Sequence, residues 1–104
     1  MEITAKELKA RIDRGESLVI VDVREQNEWN ICRIDGAKLI PLREIPNRMG
    51  ELDTVSEIVA YCHFGKRSQQ AAQTLRQAGF EKVLNLTGGI DAWSTDVDPG
   101  VARY

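Results

Sequence analysis

The sequence is short of the residues that bind metal ions, and it has no long hydrophobic run. Its 104 residues include only two cysteines, Cys32 and Cys62, and one histidine, His63. A zinc site usually needs four ligands at recognisable spacing, so we expect neither a metal nor another cofactor. No apolar run is long enough to cross a bilayer, and the N-terminus has no signal-peptide pattern. We therefore expect a cytoplasmic protein that does not bind membranes.

The rest of the composition is that of an ordinary folded domain. Hydrophobic residues make up 42% of the chain and charged residues 29%, which suits one domain over residues 1–104. The formal net charge of −2 gives no general attraction to nucleic acids. We therefore expect a monomer without nucleic-acid partners, in which Lys66-Arg67 is the best candidate for a local concentration of positive charge.

The stretch from Tyr61 to Ser68 carries the strongest functional signal. An apolar run, residues 58–61, leads into Cys62, and a helix-forming run, residues 69–78, follows a short loop. This order predicts Cys62 at the carboxyl end of a strand, with a helix N-terminus behind it. The unpaired N–H groups and partial positive charge of a helix N-terminus favour an anion, and a cysteine thiolate is such an anion. The pattern predicts a reactive cysteine; the alternative is a small buried apolar side chain.

Short strands alternate with helical segments along the chain. Apolar runs predict strands at residues 18–21, 38–40, 57–61 and 82–86. Apolar spacing and capping patterns predict helices at residues 5–14, 25–30 and 69–78, a short or broken helix over 42–49, and a helical turn at 90–93. This alternation is typical of an α/β domain whose mostly parallel sheet is covered on both faces. Trp29 and Trp93 are expected to pack in its core.

Asp22 and Arg24 follow the predicted strand at 18–21. They lie at the sheet edge where ligands collect in α/β domains, so one interpretation is that they border a site and support the cysteine loop. The alternative is that they bond only locally, with Asp22 as a loop anchor and Arg24 as its ion-pair partner.

Three segments together resemble the rhodanese (sulfurtransferase) family. They are residues 21–41 (VDVR, EW, IDGA and IP in order), 61–68 (YCHFGKRS) and 88–93 (GGIDAW), which span nearly the whole chain. The resemblance implies a rhodanese-like three-layer α/β/α fold with a mostly parallel central sheet of about five strands. It also implies that Cys62 carries a transferable sulfur as a persulfide. One departure is Cys32-Arg33, where many family members have Gly-His before the isoleucine at position 34.

Two less distinctive segments resemble a narrower group within that family. The similar proteins are rhodanese domains fused behind E1-like adenylating enzymes of molybdopterin and thiamine-type sulfur-insertion pathways. The segments that carry the similarity are residues 30–34 (NICRI), 97–99 and 103–104. This resemblance implies a sulfur-relay domain of a larger protein. Its partners would be a ubiquitin-like sulfur-carrier protein or a cysteine desulfurase, besides a small-molecule donor such as thiosulfate.

The loop residues suggest how the sulfur would be held. Cys62 would attack the outer sulfur of a donor such as thiosulfate and become Cys62–S–S⁻. A loop that curls from strand to helix points several N–H groups inward. We therefore expect an anion-binding nest from the five residues that follow, which are His63, Phe64, Gly65, Lys66 and Arg67. The planar guanidinium of Arg67 suits an oxyanion such as a sulfonate. Ser68 would cap the helix, and Lys66 would either steer anionic donors or remain solvated.

Two further residues, His63 and Cys32, have competing interpretations in relation to Cys62. His63 could be a general base, but adjacent loop residues usually point apart, so we expect it to shape the pocket rim. Cys32 could be a resolving thiol for Cys62, but its neighbours Ile31 and Ile34 favour a packed side chain.

Two other classes of rhodanese-related protein remain as alternatives. Related phosphatases and arsenate reductases have five residues between the cysteine and the arginine, whereas four separate Cys62 from Arg67. The shorter loop suits a sulfur atom better than a phosphate group. Non-catalytic rhodanese-like interaction modules typically lack the cysteine, which is present here.

Overall fold

Five parallel strands form one sheet in the computed structural model, which describes residues 1–104. The strands are β1 (Glu2–Ile3), β2 (Val19–Asp22), β3 (Lys38–Leu39), β4 (Glu57–Tyr61) and β5 (Lys82–Leu86). Their order across the sheet is β1-β5-β4-β2-β3, and every neighbouring pair is parallel. The carboxyl ends of all five strands therefore meet at one edge of the sheet, with β4 in the centre.

Five α-helices connect or follow these strands. They are α1 (Ala5–Asp13), α2 (Gln26–Ile31), α3 (Ile45–Arg48), α4 (Lys66–Gln77) and α5 (Gly89–Asp96). Thr4 and Glu7 form the predicted capping box at the start of α1. The broken helix expected around Pro46 is confirmed, because α3 is flanked by two 3₁₀ turns, Leu42–Glu44 and Met49–Glu51. No helix has the length and apolar character needed to span a bilayer.

Two hydrophobic cores lie on opposite faces of the sheet. Because side chains alternate along a strand, Ile58 contributes to one core and Val59 to the other. One core packs the strands against α3 and α4, and the other packs them against α1 and α5. The predicted α/β class and the three-layer α/β/α arrangement are therefore confirmed, as is the buried position of Trp93.

Two local expectations differ from the structure. Strand β1 was not predicted, because its two residues carry no pattern of their own and are ordered by pairing with Asn85 and Leu86 of β5. The prediction of a core position for Trp29 is wrong. No residue of α2 is buried, and the half-buried Trp29 ring lies under the guanidinium of Arg33, 4.6 Å from its centroid.

Candidate active site

Cys62 directly follows the central strand β4, as predicted. Its side chain is 1% exposed and belongs to the core beneath α4. The chain then turns sharply through Gly65, whose φ of +115° lies in the region that glycine adopts most easily. Gly65 is the residue before the first turn of α4, so the helix begins only four positions after the cysteine. The sulfur therefore lies beneath the N-terminus of a twelve-residue helix.

Two backbone N–H donors and one hydroxyl group converge on the Cys62 sulfur. The backbone N–H of Gly65 donates to Sγ at 3.1 Å, and the N–H of Ser68 donates at 3.4 Å. The Ser68 hydroxyl lies 3.4 Å from the same sulfur. These donors, which we call the sulfur cradle, favour negative charge on the sulfur, and the partial positive charge of α4 acts in the same direction.

Ser68 and Asn85 support this cradle from below. The expectation that Ser68 caps the helix is wrong, because α4 begins at Lys66 and places Ser68 inside the first turn. Its buried hydroxyl instead reaches the sulfur, the Gly65 carbonyl at 3.2 Å and the amide oxygen of Asn85. The Asn85 Nδ2 donates to the same Gly65 carbonyl at 3.2 Å. Asn85 is not among the predicted site residues, although a single amide inside the apolar strand at 82–86 is a signal of a buried polar role.

The start of α5 forms the back wall of the loop. The N–H groups of Ile90 and Asp91 donate to the carbonyls of Cys62 and His63, at 2.9 and 3.1 Å. Gly89, with φ +62°, lies directly against these carbonyls, and a Cβ at that position would lie 2.5 Å from the Cys62 oxygen. Only a glycine at position 89 allows the backbone of α5 to approach the loop this closely.

We expected the guanidinium of Arg67 to suit an oxyanion of the donor, but it is bound to a carboxylate of the protein itself. Its guanidinium makes no hydrogen bond with Cys62 and instead donates to both carboxylate oxygens of Glu28 in α2, at 2.7 and 2.9 Å. These bonds, together with the hydroxyl of Tyr104, hold the pKa of Glu28 at about 2 despite its partial burial. Glu28 was noted only as part of a family motif, because nothing in the sequence indicates a partner 39 positions away.

Asp22 and Arg24 form a fully buried ion pair beside the loop. The Nη2 of Arg24 lies 2.6 Å from Oδ2 of Asp22, and both side chains are 0% exposed. The local-pairing interpretation is therefore confirmed for their mutual contact. Arg24 also donates to the Cys32 carbonyl at 2.7 Å and to the Tyr104 hydroxyl at 2.8 Å. The pair thus joins the end of β2 to α2 and to the C-terminal residues.

Three aromatic rings form a stack at the rim of the loop. The His63 ring lies 3.9 Å from the rings of both Phe64 and Tyr104, with nearly parallel planes. Both neighbours cannot share one face, so the imidazole lies between them. It has no hydrogen bond to Cys62, which agrees with a role at the rim rather than as a base. Phe64 is 62% exposed, and Lys66 is exposed without an ion pair.

Cys32 is a packed residue, as expected. It is half-buried against the core beneath α1 and α5, and both cysteines are free thiols. Of the predicted site residues, the fold thus brings Gly65 and Ser68 to the sulfur, and leaves the side chains of Phe64 and Lys66 pointing into solvent.

Comparison with known proteins gives a consistent result. The model of the family described as "Rhodanese-like domain" matches residues 4–96. A "Sulfurtransferase" from Allochromatium vinosum is 40% identical over 101 residues, with 97% of this chain and 94% of the relative covered. "Adenylyltransferase and sulfurtransferase MOCS3-1" from Zea mays is 34% identical over 109 residues, covering 98% of this chain and 23% of the relative.

A solved structure agrees with these relatives. The crystal structure of a "Rhodanese-like Domain Protein from Staphylococcus aureus" superposes with a TM-score of 0.86 at 31% identity, and covers 100% of this chain and 99% of that one. The chain spans half or less of the length of several curated relatives that it matches, including the protein from Zea mays.

Proposed function

Because the chain belongs to the rhodanese-like domain family, whose members here include sulfurtransferases, we propose that it transfers sulfane sulfur through a persulfide on Cys62. The observation that carries this proposal is the sulfur cradle. Two N–H groups donate to a cysteine sulfur under a helix N-terminus, and one hydroxyl lies beside the same sulfur. Such a cradle stabilises a thiolate before the transfer and a terminal sulfur anion after it.

The transfer step is a displacement at sulfur. The Cys62 thiolate attacks the outer sulfur of thiosulfate, a new S–S bond forms, and the bond to the inner sulfur breaks. Sulfite leaves with the electron pair, and Cys62–S–S⁻ remains. An acceptor such as cyanide then attacks the terminal sulfur, leaves as thiocyanate, and restores the thiolate. The overall charge balances in both steps, and no oxidant is needed.

The natural sulfur route we propose is a protein relay. Relatives such as MOCS3-1 carry "adenylyltransferase" in their names and are about four times longer than the region this chain matches. A ubiquitin-like sulfur-carrier protein as acceptor, with a cysteine desulfurase as donor, suits a loop whose rim presents the exposed ring of Phe64 to a protein surface. Thiosulfate would then be a convenient laboratory donor.

Intact-mass spectrometry tests the proposal directly. Incubation with thiosulfate should add about 32 Da to the wild-type chain and to Cys32→Ser, because a single thiolate accepts a single sulfur atom. Cys62→Ser should gain nothing. Sulfur uptake by Cys62→Ser, or none by the wild type, would refute the assignment of Cys62.

The phosphatase alternative has its own test. The chain has four residues between Cys62 and Arg67, and both Gly65 and Ser68 lie close to the sulfur, which leaves a narrow cradle. We expect negligible hydrolysis of p-nitrophenyl phosphate by the wild type. Insertion of one glycine between Gly65 and Lys66 should widen the loop and slow sulfur transfer. Cys62-dependent phosphate hydrolysis without sulfur transfer would instead support the phosphatase.

A further inference from the structure

The only arginine of the cysteine loop is already bound to a carboxylate. Both terminal nitrogens of Arg67 donate to Glu28, whose side chain is only 13% exposed. Glu28 is itself fixed by other donors. The N–H of Glu25 reaches Oε1 at 3.1 Å, and the hydroxyl of Tyr104 reaches Oε2 at 2.7 Å. The pair is therefore held in place from several sides, and its two charges cancel.

The surroundings of this pair add no free positive charge that is buried. The nearby guanidinium of Arg24 is neutralised by Asp22, to which it is bound through Nε and Nη2. Lys66 is the remaining cation of the loop, and it is exposed to solvent. Arg67 nevertheless belongs to the loop that forms the cradle, because its backbone lies between Gly65 and Ser68, whose N–H groups both donate to the sulfur. The sulfur cradle thus consists of neutral donors, although an arginine lies close by.

We propose that Glu28 is a specificity-determining residue for sulfur transfer: by holding Arg67 away from the sulfur cradle, it makes the site favour persulfide donors over donors that carry a tetrahedral oxyanion. This inference rests on the proposed function and names the donor class for that same site. A dianion such as thiosulfate loses more hydration on entering the site and needs a cation in compensation, which Glu28 withholds. A persulfide R–S–SH brings no oxyanion and needs only the neutral donors.

The reaction with a persulfide balances in the same way as before. The Cys62 thiolate attacks the outer sulfur of R–S–SH. A new bond forms between Cys62 Sγ and that outer sulfur, and the bond between the outer and inner sulfurs of the donor breaks. RS⁻ leaves with the electron pair, and Cys62 holds the transferred sulfur with its proton.

Oxyanion binding provides a test that does not depend on activity. Inorganic sulfate and phosphate would be titrated against the rate at which iodoacetamide alkylates Cys62, and protection gives a dissociation constant. Glu28→Gln should bind these anions about tenfold more tightly or better, because one charge-assisted hydrogen bond contributes at least that factor. The double variant Glu28→Gln/Arg67→Gln should lose the gain, since Glu28 acts only through Arg67.

Kinetics provide the matching functional readout. In wild type, kcat/KM for glutathione persulfide should exceed that for thiosulfate, and Glu28→Gln should lower the KM for thiosulfate while leaving that for the persulfide within about twofold. Tyr104→Phe removes one donor from Glu28 at a half-exposed site, so it should shift the thiosulfate KM in the same direction by a smaller factor. It serves as the test if Glu28→Gln does not fold.

Three outcomes would decide the matter. Unchanged sulfate affinity and unchanged thiosulfate KM in a folded Glu28→Gln or Tyr104→Phe would overturn the role of Glu28. A gain that survives in the double variant would also overturn it, because the effect would not pass through Arg67. If wild-type Cys62 accepts sulfur from neither donor, the proposed sulfurtransferase function fails instead, and the alkylation assay still reports on Glu28.

Discussion

The contact between Gly89 and the cysteine loop predicts a large effect of one methyl group. In Gly89→Ala, the new Cβ would lie 2.5 Å from the Cys62 carbonyl oxygen and closer still to that of His63. Both atoms belong to the backbone, so no side chain can rotate away to relieve the overlap. The substitution must move either the loop or the start of α5.

The free-energy cost has three parts. An alanine at φ +62° costs about 1 kcal/mol, and overpacking in a close-packed region typically adds about 1–3 kcal/mol. Displacement of α5 also weakens the bonds from Ile90 and Asp91 to the loop carbonyls, at about 1 kcal/mol each. We expect the free energy of unfolding to fall by about 4–6 kcal/mol, a large part of the total of about 5–15 kcal/mol for a small domain.

Gly15→Ala is the matched control. Gly15 has a similar φ of +74°, but a Cβ there would meet nothing within 4 Å, so only the backbone strain of about 1 kcal/mol remains. Urea unfolding would measure both variants, and thiosulfate-dependent mass gain would report on the loop. If Gly89→Ala is no less stable than Gly15→Ala and accepts sulfur at the wild-type rate, the close packing of α5 on the loop is wrong.

Three further predictions concern single side chains. Ser68→Ala should slow sulfur uptake several-fold and lower the free energy of unfolding by about 1–2 kcal/mol. The control Ser94→Ala, which removes another buried hydroxyl, should affect stability alone. Equal rates of sulfur uptake in the two variants would contradict the role of Ser68 in the cradle. The pKa of Glu28 is lowered by Arg67 from 4.5 to about 2, so its stabilising effect is complete above pH 4.5 and is lost as the pH falls toward 2. Acid titration of stability should show this loss, on the order of 2–3 kcal/mol, in wild type and not in Glu28→Gln. Lys66→Glu should slow the reaction with anionic thiosulfate at low salt only; persistence of the effect in about 1 M salt would exclude a steering role.

The regular elements were predictable because their signals are local. The apolar run at 57–61 gave β4 with the correct bounds, and the order of strand, cysteine and helix was correct. The start of α4 was placed too late because Gly65, rather than a serine, occupies the position before the helix. A glycine there offers no side-chain signal, and only its positive φ in the folded chain identifies the turn.

The electrostatics of the site were not predictable because they depend on distant partners. The guanidinium of Arg67 was expected to suit an oxyanion in the cysteine loop. Glu28 and Tyr104 approach it only once α2 and the C-terminal residues pack beside the loop, through bonds that span 39 and 76 positions. Asn85 likewise reaches the cradle only through the pairing of β5 with β4. Tertiary packing decides such contacts, and a single sequence does not record it.

The central position of β4 also means that Cys62 and Glu28 are attached to parts of the fold that differ in local stability. Strand β4 has hydrogen-bonded neighbours on both sides, so we expect its amide hydrogens to be among the slowest of the domain to exchange with solvent. The attachment point of Cys62 is therefore among the last regions to open. Helix α2, which carries Glu28, has no buried residue, so we expect its amide hydrogens to exchange at a lower free-energy cost than those of β4. The nucleophile is thus anchored by the hydrogen bonds of the sheet, whereas the carboxylate that neutralises Arg67 is anchored by hydrogen bonds of its own side chain.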